Sequence, residues 1–123
     1  MCSSDLELKA FQEQLPELEK RGVSVIGVSC DSMFSHIAWA KGELGPVKFP
    51  VVGDITKKVA RQFDVLAEEK GCALRAAFVV DPQGVVKAVL CNDLPVGRST
   101  DEVIRLVDAF QTGQACPVNW QKK

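Results

Sequence analysis

The sequence predicts an α/β layered fold. Three observations carry this. Runs with helical spacing alternate with short β-branched runs along the chain. Serine or aspartate stands just before the later helical runs, where it can cap them. One Asp81-Pro82-Gln83-Gly84 turn separates two apolar runs.

A first helix is predicted over 4–20, because Leu8, Phe11, Leu15 and Leu18 share a face. Pro16 should kink it or move its boundary, and Gly22 after Lys20-Arg21 should end it. The β-branched run 23–29 reads as a buried strand. Asp31 or Ser32 can cap a second helix carrying Phe34, Ile37 and Ala38, which the run Gly42-Glu43-Leu44-Gly45-Pro46 ends. A short strand follows at 49–52. Asp54 then caps a helix with Ile55, Val59 and Phe63 on one side. Strands 76–80 and 85–90 form a hairpin across a type I turn, with proline second and glycine fourth. Ser99 and Glu102 have capping-box spacing for a last helix that buries Val103, Leu106, Val107 and Phe110. The chain thus opens on a helix, where an α/β unit usually opens on a strand joined to the next by a right-handed crossover.

Composition bounds the function. The 123 residues fit one domain. A hydrophobic fraction of 46% with 25% charged residues is that of an ordinary globular protein. A net charge of -1 supplies no field for nucleic acid or an acidic membrane surface. The longest apolar runs are too short to span a bilayer, and no basic start leads into an apolar signal segment. Five cysteines, an odd and sparse set, point to a reducing compartment, with the cytoplasm expected. There is no CxxC spacing. With His36 the sole histidine, a Cys/His zinc site is not expected.

Two cysteines stand apart. Cys2 precedes Ser3-Ser4-Asp5 at a helix start, and Cys116 precedes Pro117 near the other terminus. A thiol becomes nucleophilic as its thiolate, and a helix N-terminus stabilises that negative charge. If the two act as a pair, the chemistry is redox.

Several ordered motifs resemble the AhpC/typical 2-Cys group of peroxiredoxins. They are the segment 22–29 with Asp31-Ser32, His36 and Trp39; Gly45-Pro46-Val47-Lys48-Phe49-Pro50; and Ala73-Leu74-Arg75-Ala76-Ala77-Phe78-Val79-Val80-Asp81. The most specific is Asn92-Asp93-Leu94-Pro95-Val96-Gly97-Arg98-Ser99, followed by Asp101-Glu102-Val103. Ala115-Cys116-Pro117-Val118-Asn119-Trp120 is similar to the resolving-cysteine segment. The resemblance implies a thioredoxin-like, three-layer α/β/α fold. It spans 1–123 as a partial peroxiredoxin domain that includes the resolving segment 111–123.

The resemblance also implies roles. Cys2 would be the peroxidatic cysteine, oxidised to a sulfenic acid, and Cys116 the resolving cysteine that condenses with it across subunits. Arg75 would stabilise the thiolate and the departing oxygen. Asp5 and Arg98 would pair behind Arg75. Each has a plainer reading: an incidental thiol at a frayed terminus for Cys2, an edge-strand arginine for Arg75, a solvated surface pair for Asp5 and Arg98. Cys30, Cys72 and Cys91 read as packing residues or bystanders, and His36 and Trp39 as structural. The expected partners are a peroxide, thioredoxin or a flavoprotein disulfide reductase, and a second subunit in a homodimer or larger ring. No cofactor, metal, nucleic acid or membrane is expected.

The departures from the family pattern are as informative. Only Met1 precedes Cys2, so the family's Pro-x-x-x-(Thr/Ser)-x-x-Cys motif, which positions peroxide, has no counterpart. Cys2 lies two residues further from Ala10-Phe11 than the family spacing, about half a helical turn. The strand before the first helix is missing, so two facing sheet edges should be unpaired, and the chain is expected to be the C-terminal part of a peroxiredoxin. No Tyr-Phe tail follows Trp120. That tail goes with easy overoxidation, so a robust type is expected. Three readings result: a peroxidase, a non-catalytic fragment that co-assembles with full-length subunits, and a thiol-exchange module using Cys116 alone.

Overall fold

A computed structural model describes residues 3–42 and 45–123, with the backbone alone for 3–5. The predicted first helix is two. Helix α1 spans Ser3–Glu13 and α2 spans Leu15–Lys20. Pro16 causes the break. It has no N–H to continue α1, but it fits the first turn of a new helix, where that donor would be unpaired anyway. Gln12 clamps the distant segment around Pro46 and Lys48 to α1: its Oε1 accepts from the Lys48 amide at 2.8 Å and its Nε2 donates to the Pro46 carbonyl.

The strand predicted at 23–29 is narrower. Only β1 (Gly27–Ser29) pairs, in parallel with β2 (Val51–Gly53), Val28 lying opposite Val52. Residues 23–26 keep an alternation of half-buried and exposed positions but have no strand pairing among the described residues. Helix α3 (Met33–Lys41) starts at Ser32, whose hydroxyl accepts the Ser35 amide at 3.2 Å. Its apolar side chains do not form the expected core face: Phe34 is 72% exposed and Ile37 46%. The Asp54 carboxylate accepts from Val59 and Ala60 at 3.1 and 2.9 Å, so it caps α4 (Lys58–Gln62) as predicted, although Lys57 intervenes with φ 62.

A small hairpin, β3 (Leu66–Ala67) with β4 (Cys72–Ala73), was not legible, because a two-residue ladder shows no period. The larger hairpin was. Strands β5 (Arg75–Val80) and β6 (Val86–Asn92) pair antiparallel. Their turn closes with the Gly84 amide on the Asp81 carbonyl at 3.0 Å, Gly84 taking φ +83. The Asp81 carboxylate accepts from Gln83 and Val85, both at 2.9 Å. Helix α5 (Thr100–Gln111) begins at Ser99, which accepts the Glu102 amide.

The buried core joins Leu15 and Leu18 of α2, Phe49, Ala60, Val65, and Val103 and Val107 of α5. Phe110, expected among them, is 46% exposed. At that end of α5 the contacts are polar: Arg21 Nε meets Asp108 at 2.7 Å and Gln111 donates to the Arg21 carbonyl at 2.7 Å. The strands form three separate pairs, so β1 and β5 each have one ladder partner among the described residues.

Candidate active site

Three charged side chains from distant parts of the sequence converge beside the first turns of α1. Glu7, only 9% exposed, lies one helical turn beyond the start of α1 at Ser3. Arg75 opens β5, and Arg98 sits in the loop between β6 and α5. Arg75 Nη1 is 3.3 Å from Glu7 Oε1, a charge contact, while its Nε donates to the Leu94 carbonyl at 3.2 Å. Arg98 Nε donates to Glu7 Oε2, its amide approaches the same oxygen at 3.4 Å, and its Nη1 reaches the Ala76 carbonyl at 2.9 Å. The loop that carries Arg98 is held by its own side chains: Asp93 Oδ1 takes the Leu94 amide at 2.8 Å, and Asn92 Nδ2 donates to the Gly97 carbonyl at 3.0 Å.

The electrostatics follow. Two guanidinium groups meet one carboxylate, so the trio carries net positive charge beside a helix N-terminus, which is itself positive. An anion formed at the start of α1 is favoured there. Arg75 and Arg98 are brought together through Glu7, a residue that sequence reasoning missed. The side chain of Asp5, the residue expected to pair with Arg98, lies outside the described residues, as does Cys2. A signal for Glu7 was present in the two-residue excess between Cys2 and Ala10-Phe11. The family start Cys-(Pro/Ser)-(Thr/Ser)-Glu, counted back from Glu7, falls on Ser4.

Cys116 sits apart from this cluster. Its thiol folds against the end of α5, donating to the Ala109 and Gln114 carbonyls at 3.7 Å each, with the Thr112 hydroxyl at 3.6 Å. The tail beyond it is tethered by Arg105, whose Nη1 donates to the Trp120 carbonyl at 3.0 Å. Glu102 grips the same guanidinium at 2.6 and 2.7 Å and raises its pKa. Cys91 is exposed on β6, and Cys72 lies half-buried in β4. His36 Nε2 bonds the Ser29 hydroxyl at 2.8 Å, and its ring packs 5.2 Å from Trp39, a structural setting.

Comparison with known proteins shows what the chain is similar to. Residues 3–89 match the model of the AhpC/TSA family. The chain is 44% identical over 123 residues to the mitochondrial thioredoxin-dependent peroxide reductase of Drosophila melanogaster, covering 93% of this chain and 53% of that protein. Peroxiredoxin-2 of Bos taurus is 45% identical, with 93% and 62% covered. Among solved structures, the reduced 2-Cys peroxiredoxin of Plasmodium vivax superposes with a TM-score of 0.94 at 35% identity, over 98% of this chain and 67% of that one. The AhpC of Enterococcus faecalis superposes at 0.87 and 36% identity, over 93% and 72%. The chain therefore spans between about half and two thirds of the length of these curated relatives.

Proposed function

Because the chain belongs to the AhpC/TSA family and has the thioredoxin-like fold of its solved relatives, we propose that it acts as a thiol-dependent peroxidase. The observation that carries this is the Glu7–Arg75–Arg98 trio at the start of α1. In this reading the Cys2 thiolate attacks one peroxide oxygen and the O–O bond breaks. The leaving hydroxide or alkoxide takes a proton, and the sulfur becomes a sulfenic acid. Arg75 stabilises the thiolate and the charge on the departing oxygen. Arg98 acts by holding Glu7, which orients Arg75. The Cys116 thiol of a second subunit then attacks the sulfenic sulfur, expels water and forms an intersubunit disulfide. Thioredoxin or a flavoprotein disulfide reductase returns both thiols. The name of the Drosophila relative supports a thioredoxin partner and is that of a mitochondrial protein, so either a mitochondrial or a cytoplasmic setting suits the thiol cycle.

Intact-mass analysis after hydrogen peroxide tests the reading. The expected product is a reducible dimer linked Cys2–Cys116, lost in Cys2→Ser and in Cys116→Ser. A peroxide rate equal to that of free cysteine, with no linked dimer, overturns it.

One observation favours a second reading, a non-catalytic chain that co-assembles with full-length subunits. Glu7 takes the carboxylate place beside both arginines, and the family spacing then puts a serine, Ser4, where the peroxidatic cysteine belongs. Co-purification with a full-length family member, without peroxidase activity of its own, is the outcome that reading requires.

A further inference from the structure

Asn92 ends β6 directly opposite Arg75, the first residue of β5, in the register of the hairpin. The chain leaves the ladder there, and Arg98, six positions on, must come back to Glu7. The return is held at several points. The Val96 amide closes a turn on the Asp93 carbonyl at 3.1 Å. Asn92 Nδ2 spans the loop and donates to the Gly97 carbonyl at 3.0 Å. Arg98 Nη1 donates to the Ala76 carbonyl at 2.9 Å, one residue along β5 from Arg75. The Asn92 bond thus joins the position opposite Arg75 to the residue that precedes Arg98. Two parts of the closed loop touch the charged trio. The Leu94 carbonyl accepts from Arg75 Nε at 3.2 Å, while Arg75 Nη1 lies 3.3 Å from Glu7 Oε1. Gly97 backs the Glu7 carboxylate so closely that a Cβ there would stand 3.5 Å from Oε1.

We propose that Asn92 is a positioning residue for the trio: by closing the loop on Gly97, its amide sets where the Leu94 carbonyl and Arg98 stand, and so the direction in which Arg75 presents its guanidinium. The catalytic consequence rests on the peroxidase reading. A guanidinium is a rigid planar fork of donors. Its value to a thiolate or a departing oxygen therefore depends on direction as well as on charge. The Leu94 carbonyl fixes that plane from one side and Glu7 from another. With the loop open, Arg75 keeps its charge but loses the carbonyl that aims it. Arg98 loses its lead-in from Gly97, so its grip on Glu7 loosens at the same time.

The test uses the full chain and two substitutions. Asn92→Asp keeps the shape and removes the donor; Asn92→Ala removes both. Nitrogen-15 NMR of the arginine Nε–H groups reads orientation without any need for activity, with Arg75→Lys and Arg98→Lys assigning the signals. In the parent chain the two Nε–H groups should be distinct and slow to exchange with water. In both Asn92 variants the Arg75 signal should move toward that of solvated arginine. The rate constant with hydrogen peroxide should fall roughly tenfold to a hundredfold. The pH midpoint of Cys2 alkylation should rise, while the urea midpoint stays close to the parent's. Unchanged Arg75 and Arg98 signals in Asn92→Asp overturn the proposal. Loss of the fold in both variants overturns it too, because the bond then serves the fold alone. In a parent that outpaces free cysteine, a parental rate and alkylation midpoint in both variants do the same. A parent no faster than free cysteine, with the Arg75 signal still responding to Asn92→Asp, overturns the peroxidase reading and supports the positioning.

Discussion

Glu7 illustrates how a single residue can be invisible in sequence and central in structure. In a helical run it reads as one more surface carboxylate between Leu6 and Leu8, yet it is buried against Arg75 and Arg98. The arginines were legible because their motifs are specific. Their partner was not, because burial of a charge depends on residues 68 and 91 positions away. Removing one member of a buried ion cluster leaves the others desolvated and unpaired. Glu7→Ala should therefore lower stability by about 3 kcal/mol or more, read from the urea midpoint. Glu7→Gln should retain shape but not charge and fall between. The register argument gives a sharper test. Ser4→Cys would place a thiol at the family distance from Glu7, beside the arginines and the helix start. If the trio activates a thiolate, this variant should react with peroxide roughly tenfold or more faster than the parent chain, the gain a lowered thiol pKa supplies near neutral pH. An unchanged rate would show that the trio is structural only.

Elements with a local signature were readable, and those made by distant pairing were not. The capping serines Ser32 and Ser99, the Asp81–Gly84 turn and the Pro16 break each need only near neighbours, and each is where the sequence put it. The shortness of β1 depends on β2, which offers three residues to pair with. The exposure of Phe110 depends on Arg21, the residue just after α2, which draws Asp108 inward instead. The hydrogen bond from Arg21 lowers the Asp108 pKa below its ordinary 3.8, with Lys122 adding to the effect. A lowered carboxylate stabilises the fold above its unfolded pKa and loses that contribution as pH falls through the folded value. Thermal melts should thus hold steady down to about pH 4 and decline below it. Glu17, Asp81 and Glu102, also lowered, act in the same direction. Asp108→Asn should cost about 2 kcal/mol at neutral pH and flatten the part of the acid decline that belongs to this pair. An acid limb identical to the parent's would assign it to the surface carboxylates.

At the scale of the whole molecule, the three strand pairs differ in how well they are supported. The β5–β6 ladder is long and lies against α5, whereas β1–β2 is three residues long with Ile26, Val28 and Val52 exposed nearby. Opening free energy follows such support. Amides of β1 and β2 should exchange with deuterium well before those of β5 and β6, and equal protection would show that the strands open as one unit. The α/β layering was legible because it follows from the order of the elements, while the separation of the sheet into independent pairs was legible only through the family resemblance. The tail has a consequence of its own. Cys116 is kept at the end of α5 by weak sulfur contacts, but residues 117–120 are moored by a guanidinium eleven positions upstream of the thiol. Arg105 therefore acts as a tether whose release changes the reach of the sulfur, and the radius within which this tail can search for a partner is set on the helix.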